Sequence, residues 1–332
     1  MGWLSFRTPV ATWPREVPEF TRIAATSDGG SPTAPLPNRH SSPNLAAQLE
    51  AARAGGIDTV VCSVLDGDER LRLCAAVAAQ HADLVARGIA RLVELTGAKR
   101  VWMVVDESAP PPWIAPLRDA ARACGAAIVE LPNQYPQADP TMLIYCLTDR
   151  RLPPGALPTQ QRVLLVDAPG AAAFAGADAV WLGVLDHTFG PPRYLAATPG
   201  MTVAAALRAA NAPTEGRTVR CGDLLRDLPL PPGQLVGEGE LIVHLLPRTP
   251  APAASPCIRC GWCAQVCPTR VSPAWILEAA QLGDERMART GGRDACIECG
   301  LCNEVCPAHL PLLAAIRQIK QPSAPSAPVR KT

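Results

Sequence analysis

Residues 256–268 read PCIRCGWCAQVCP, and residues 295–307 read ACIECGLCNEVCP. Each comb sets four cysteines in the spacing C-x₂-C-x₂-C-x₃-C and follows the fourth with a proline. Three thiolates at intervals of three residues wrap one corner of a cubane, while the remote fourth reaches across to a second cluster. The spacing therefore predicts two 4Fe–4S clusters with crossed ligands. Cluster one takes Cys257, Cys260, Cys263 and Cys306; cluster two takes Cys296, Cys299, Cys302 and Cys267. Structural zinc is usually held by two separated C-x₂-C pairs, which explains neither the third and fourth cysteine of each comb nor the prolines. Gly261 and Gly300 lack a Cβ, so backbone N–H groups can approach inorganic sulfide, and Pro268 and Pro307 turn the chain after the crossing ligand. Ile258, Ile297, Val266 and Val305 are expected to keep water away. Arg259 in the first comb stands where Glu298 stands in the second, and this pair alone predicts a higher potential for cluster one.

The other cysteines point elsewhere. Of 13 in the chain, Cys62, Cys74, Cys124, Cys146 and Cys221 are scattered among apolar residues and read as small buried hydrophobes in a reducing compartment. The N-terminus, broken by prolines and an Arg-Glu pair, lacks the apolar core of a signal peptide, and no apolar run reaches the roughly 18 residues of a spanning helix. A formal net charge of +1 without a Lys/Arg block argues against nucleic acid as a partner and against direct membrane binding. The expected location is cytoplasmic.

Thirty-six prolines punctuate the 332 residues. Residues 1–56 read as a Pro-rich segment, with SPTAPLPNRHSSP (31–43) as a loop. Between residues 57 and 186, strand and helix patterns alternate. Strands are predicted at 57–65, 100–106, 126–132, 162–168 and 178–185, and helices within 69–99, 113–124 and 141–149. Such alternation implies a mostly parallel, Rossmann-like α/β sheet, although no GxGxxG follows the first strand. Residues 187–247 read as a smaller α+β module with a turn at Pro199–Gly200 and a Thr202-capped helix. Residues 248–256 form a Pro/Ala linker and 322–332 a polar, Pro-rich, disordered tail. Between them lies the two-cluster domain, 257–321, with helices predicted at 273–282 and after Pro307.

From residue 57 onward the chain resembles the RnfC (RsxC) family, one of the subunits of the Rnf ion-translocating electron-transport complex and a relative of the NADH-binding flavoprotein subunit of respiratory complex I. The stretches that carry the resemblance are GIARLVELTGAKRVWMVVDES (88–108), LPNQYPQADPTMLIYCLTDRRLPPGALP (131–158), the 190–246 module and both combs with HLPLLAAIRQIK behind them. They cover about four-fifths of the chain. The 190–246 module is similar to the family's soluble-ligand-binding β-grasp (SLBB) domain, and the combs to its helical two-cluster ferredoxin domain. The resemblance implies FMN and an NADH site on the α/β domain, and electrons passed on to other redox proteins or membrane subunits.

Three departures stand out. The family's N-terminal β-rich domain has no counterpart. Its glycine-rich flavin loop corresponds only to SDGGSPT, which keeps Gly30, Pro32 and Thr33. Its acidic segment after the first strand is here CSVLDGDE, whose Asp66, Asp68 and Glu69 read as a solvated loop and helix start. FMN and NADH binding are therefore expected to be weak or absent. His187, His244 and His309 stand alone and read as structural. The expected role is a single-electron relay subunit, peripheral at the inner face of the cytoplasmic membrane. The alternatives are an NADH:acceptor oxidoreductase subunit of the ion-translocating ferredoxin:NAD type with bound FMN, and a structural subunit whose clusters only stabilise the fold.

Overall fold

The computed structural model describes residues 13–23, 44–68, 70–188, 190–226, 228–250 and 252–321. Gly30, Pro32, Thr33, Glu69, the 31–43 loop and the tail from residue 322 lie outside the described residues. The chain divides into two compact units: residues up to 152 with 156–224 and 228–248, and residues from 249 onward with the short stretches 153–155 and 225–227.

Among the described residues, the first unit holds ten strands: β1 Thr21–Ile23, β2 Thr59–Ser63, β3 Arg100–Asp106, β4 Ala127–Leu131, β5 Val163–Asp167, β6 Val180–Asp186, β7 Arg193–Ala197, β8 Arg217–Cys221, β9 Leu228–Pro229 and β10 Ile242–Pro247. Four of them form a wholly parallel sheet in the order β4-β3-β2-β5. The period-two geometry of a strand explains why these segments are apolar at nearly every position. Val60, Cys62, Met103, Val105, Leu164 and Val166 face one core, under the helices Leu73–Gln80, Ala82–Thr96, Pro111–Ala123 and Ala168–Phe174. Val61, Val104, Val163 and Leu165 face another, with Leu143 and Ile144 of the helix Pro140–Thr148. Gly88 lets two of the helices close up, because a Cβ there would lie 1.9 Å from the Ala171 carbonyl oxygen.

The parallel sheet, the strand positions at 57–65, 100–106, 126–132 and 162–168, and the helices between them agree with the sequence pattern. Two features differ. The strand expected at 178–185 does not extend that sheet. It is β6, the centre of a mixed sheet ordered β1-β7-β6-β10-β8-β9, in which β6 runs parallel to β10 and antiparallel to β7. Its partner β10 is some sixty residues away in sequence, which local periodicity cannot reveal. The segment before residue 57 also carries regular structure. β1 pairs with β7, and a helix spans Leu45–Gly55 under an Asn44 cap. Gln48 of that helix is fully buried. Its amide accepts from Leu165 N at 2.9 Å and donates to Leu165 O at 2.7 Å, so a side chain satisfies the outer edge of β5.

The second unit is helical, with helices Pro273–Leu282, Glu285–Thr290 and Leu312–Lys320 and one short turn of helix in each comb, Trp262–Gln265 and Leu301–Glu304. Val271, Ile276, Cys296 and Ile316 form its small core. Among the described residues, no helix is long and apolar enough to cross a membrane.

Candidate iron–sulfur and cofactor sites

The two combs fold alike. Arg259 and Glu298 both adopt the left-handed conformation, at φ +56° and +57°, and each backbone amide turns inward to donate to the first cysteine of its comb. Arg259 N lies 3.4 Å from Cys257 Sγ, and Glu298 N lies 3.4 Å from Cys296 Sγ. Gly261 and Gly300 follow at φ +81°, a conformation that costs any L-residue with a side chain about 1 kcal/mol or more. Each glycine starts the short helical turn that presents the third cysteine.

The turns gather the cysteines into two recesses. One is lined by Cys257, Cys260, Cys263 and Cys306, the other by Cys296, Cys299, Cys302 and Cys267. Each recess thus takes three cysteines from one comb and the last from the other. The second is the more enclosed: Cys296, Cys299 and Cys302 are buried, whereas Cys257 and Cys260 are exposed. Burial, with the neighbouring cysteines adding, pushes the Cys302 thiol up to about 12; burial also takes Cys299 up to about 11. The buried thiols of Cys296, Cys299 and Cys302 ionise together only if a strong positive charge joins them. An all-cysteine donor set with inward amides and Ile297 against it fits iron and inorganic sulfide. The expected shielding is incomplete at the first comb, where Ile258 is 66% exposed.

Glu298 departs from its sequence reading. It is not a free anion: Arg317 Nε lies 3.1 Å and Lys320 Nζ 3.0 Å from its carboxylate oxygens. Burial raises its pKa, but the two cations overcome this and hold it below the usual range. Arg259, its counterpart, is exposed.

At the carboxyl ends of β2 and β5, the order in which strands are added across the sheet reverses, and open α/β sheets usually bind ligands at such a place. Here the crevice is crowded with acids. Asp66, Asp106, Asp167 and Glu240 are all buried, and so is Asp68, so this stretch is not the solvated loop its composition suggests. Their partners are internal. Gly67 N donates to the Glu240 carboxylate at 3.1 Å, Glu240 N to Asp167 at 2.7 Å, and Cys74 N to Asp66 at 2.6 Å. Arg72 is ion-paired with Asp106 at 2.8 Å and lies 4.2 Å above the Trp13 ring. Burial raises Asp66 to about 7, and Arg72 offsets only part of this. The backbone amides of Gly67, Cys74 and Glu240 are thus already taken by carboxylates, and these three do not fit the phosphate of FMN.

The remaining sequence candidates divide. His187 and His244 are not alone: their rings are hydrogen-bonded at 3.2 Å, and the other nitrogen of His244 lies 2.8 Å from Gly222 O. His309 follows the first recess's Cys306 in a turn. Cys62, Cys74 and Cys221 are buried as expected, but Cys124 is only half-buried and Cys146 is exposed.

Cysteine-lined recesses in a helical unit, carried on the same chain as a unit built on a parallel sheet, define an iron–sulfur protein of the dicluster type. Residues 252–307 match the family model of a 4Fe-4S dicluster domain, and residues 44–174 match that of the Nuo51 FMN-binding domain. Among curated proteins, the chain is 31% identical over 292 residues to the C subunit of the ion-translocating oxidoreductase complex of Pseudomonas aeruginosa, covering 80% of this chain and 34% of that one. It is 30% identical to the protein of the same name from Rhodobacter capsulatus, covering 73% and 49%. It is 25% identical to the C subunit of the Na+-translocating ferredoxin:NAD+ oxidoreductase complex of Acetobacterium woodii, covering 67% and 53%. The chain belongs to the RnfC-like family. It spans between about a third and about half the length of these relatives. A chain of an NAD+-reducing NiFe hydrogenase follows a similar course, at 16% identity and a TM-score of 0.49 over 87% of this chain and 66% of that one.

Proposed function

We propose that this chain is an electron-transfer subunit of an ion-translocating oxidoreductase complex. Cys257, Cys260, Cys263 and Cys306 hold one 4Fe–4S cluster, and Cys296, Cys299, Cys302 and Cys267 hold the other. The observation that carries the reading is the crossed lining of the two recesses. When bound, such clusters accept and release single electrons. The chain's own residues do the rest. The amides of Arg259 and Glu298 donate to ligand sulfur, Ile297 limits water at the second recess, and the exposed first recess offers a short path to a redox partner. Partners are other redox proteins or membrane subunits of the complex, and through them the chain lies peripherally at the inner face of the cytoplasmic membrane. Residues 187–247, with β7, β8 and β10 and the Thr202-capped helix, correspond to an SLBB-like module. With the α/β sheet they serve as docking scaffold.

The match of residues 44–174 to an FMN-binding domain model favours a second reading, an FMN-containing subunit fed by NADH. One experiment separates the two: anaerobic purification with iron and flavin analysis, followed by addition of NADH. About eight irons per chain, no flavin and no bleaching by NADH is the expected result. Stoichiometric FMN with bleaching by NADH overturns the relay in favour of the flavoprotein.

A further inference from the structure

The two combs share a backbone but not a charge environment. Around the first, Arg259 projects into solvent, where its charge is screened. Around the second, three cations reach the loop that carries the cysteines. Lys320 Nζ donates to Cys296 O at 2.6 Å and also holds Glu298. Arg226, 3% exposed, donates to Ile297 O at 2.6 Å. Arg317 binds Glu298 and donates to Arg226 O at 2.8 Å. Arg317 and Lys320 share the Glu298 carboxylate between them, so these two cations exceed it by one charge, and Arg226 reaches the same loop beside them. The nearby Arg293 and Arg289 add nothing to this, since two carboxylates balance the two of them: Glu285 lies 2.8 and 3.6 Å from them, and Asp294 lies 3.0 Å from Arg293.

Reduction adds one electron to a group that already carries the excess negative charge of four thiolates. Burial disfavours that added charge, and the second recess is the buried one. Nearby cations favour it, and they act more strongly where water is excluded. We infer that Arg226, Arg317 and Lys320 form a cation cage that keeps the buried second cluster reducible, with Glu298 setting the upper limit of that effect. The inference rests on the reading that Cys296, Cys299, Cys302 and Cys267 hold a cluster. The step it concerns is uptake of one electron by the cluster from an external reductant, with no bond made or broken.

The test is a potentiometric titration with dithionite, followed by EPR, on the anaerobic full-length chain and on Lys320→Met, Glu298→Gln and Arg259→Met. Lys320→Met lowers the midpoint of one cluster signal, and Glu298→Gln raises the midpoint of the same signal. A tenfold change in the reduction equilibrium is the expected scale, about 59 mV for a one-electron couple. Arg259→Met moves neither signal by as much. Lys320→Met and Glu298→Gln break the same ion pair, so a purely structural disturbance moves the signal in one direction in both. Shifts of the same sign, or no shift, with about eight irons still bound overturn the cage and leave the two-cluster reading intact. Four or fewer irons in the wild type overturn both. If Lys320→Met fails to hold iron, the rise in Glu298→Gln alone decides, and its absence sinks the proposal.

Discussion

The crevice at the ends of β2 and β5 and the recesses of the two combs are both clusters of ionisable side chains, yet they are built on opposite plans. In the crevice every acid discussed has a partner inside the protein: Asp106 has Arg72, Glu240 has Gly67 N, and Asp66 has Cys74 N. In the recesses, four sulfurs of like chemistry converge, with backbone amides turned towards the first of each comb. Internal pairing stabilises a fold and leaves little for a ligand. Convergence of like groups destabilises the bare fold and reserves the site for a metal. The contrast separates a scaffold from a working centre within a single chain.

The largest effect is expected where convergence is broken. Cys302→Ser and Cys267→Ser should each remove the second cluster, taking iron from about eight to about four per chain. Cys267 belongs to the first comb in sequence, so loss of the same EPR signal in both variants checks the crossing. Loss of different signals returns each comb to its own cluster. Next in size is the internal pairing of the crevice. Arg72→Ala leaves Asp106 buried without its cation and should cost about 3–5 kcal/mol in urea unfolding. A cost under about 1 kcal/mol places that pair among ordinary surface bridges.

A smaller difference is expected between the two comb glycines. Both stand at φ +81°, but an added Cβ at Gly300 would lie 1.9 Å from Leu225 O, whereas one at Gly261 meets nothing within 4 Å. Gly261→Ala should cost about 1 kcal/mol. Gly300→Ala should cost roughly 2 kcal/mol more, read from thermal melts of the iron-loaded protein.

The pH dependence of His244 gives the smallest effect. Burial lowers its pKa to about 4, with His187 and Arg70 acting the same way and Asp68 opposing. The unfolded chain binds a proton near pH 6.5 that the folded state refuses. Its contribution to stability is therefore complete above pH 6.5, declines as pH falls towards 4 and levels off below. Urea melts of wild type and His244→Gln at pH 7, 6 and 5 should converge as pH falls, by up to about 2 kcal/mol. Curves that stay parallel show that His244 takes up its proton as readily in the fold as in the unfolded chain.

Much of this was legible in the sequence because it is local. The strand Arg100–Asp106 and the helix Pro273–Leu282 begin and end where their composition and their proline put them. Comb spacing alone suggested both four-cysteine sets, since ligand geometry is written in short intervals. What escaped depends on partners remote in sequence. β6 offers no local sign that it pairs with β10 and not with β5. Glu298 looks like a lone anion until the last helix brings Arg317 and Lys320 against it. Asp66 and Asp68 look like surface residues until Gly67 N is found donating to the Glu240 carboxylate. Exposed Ile258 and buried Ile297 could not be told apart by reading two nearly identical combs.

The exchange of the fourth cysteine also bears on the order in which the molecule is made. On the proposed assignment, the first comb leaves the ribosome with three ligands for a recess whose fourth, Cys306, has yet to be synthesised. Cys267 meanwhile waits for three partners that appear only after the helices Pro273–Leu282 and Glu285–Thr290. No complete donor set exists until both combs are present and docked, so iron delivery becomes a late checkpoint: a chain truncated between the combs should retain no stable cluster at all.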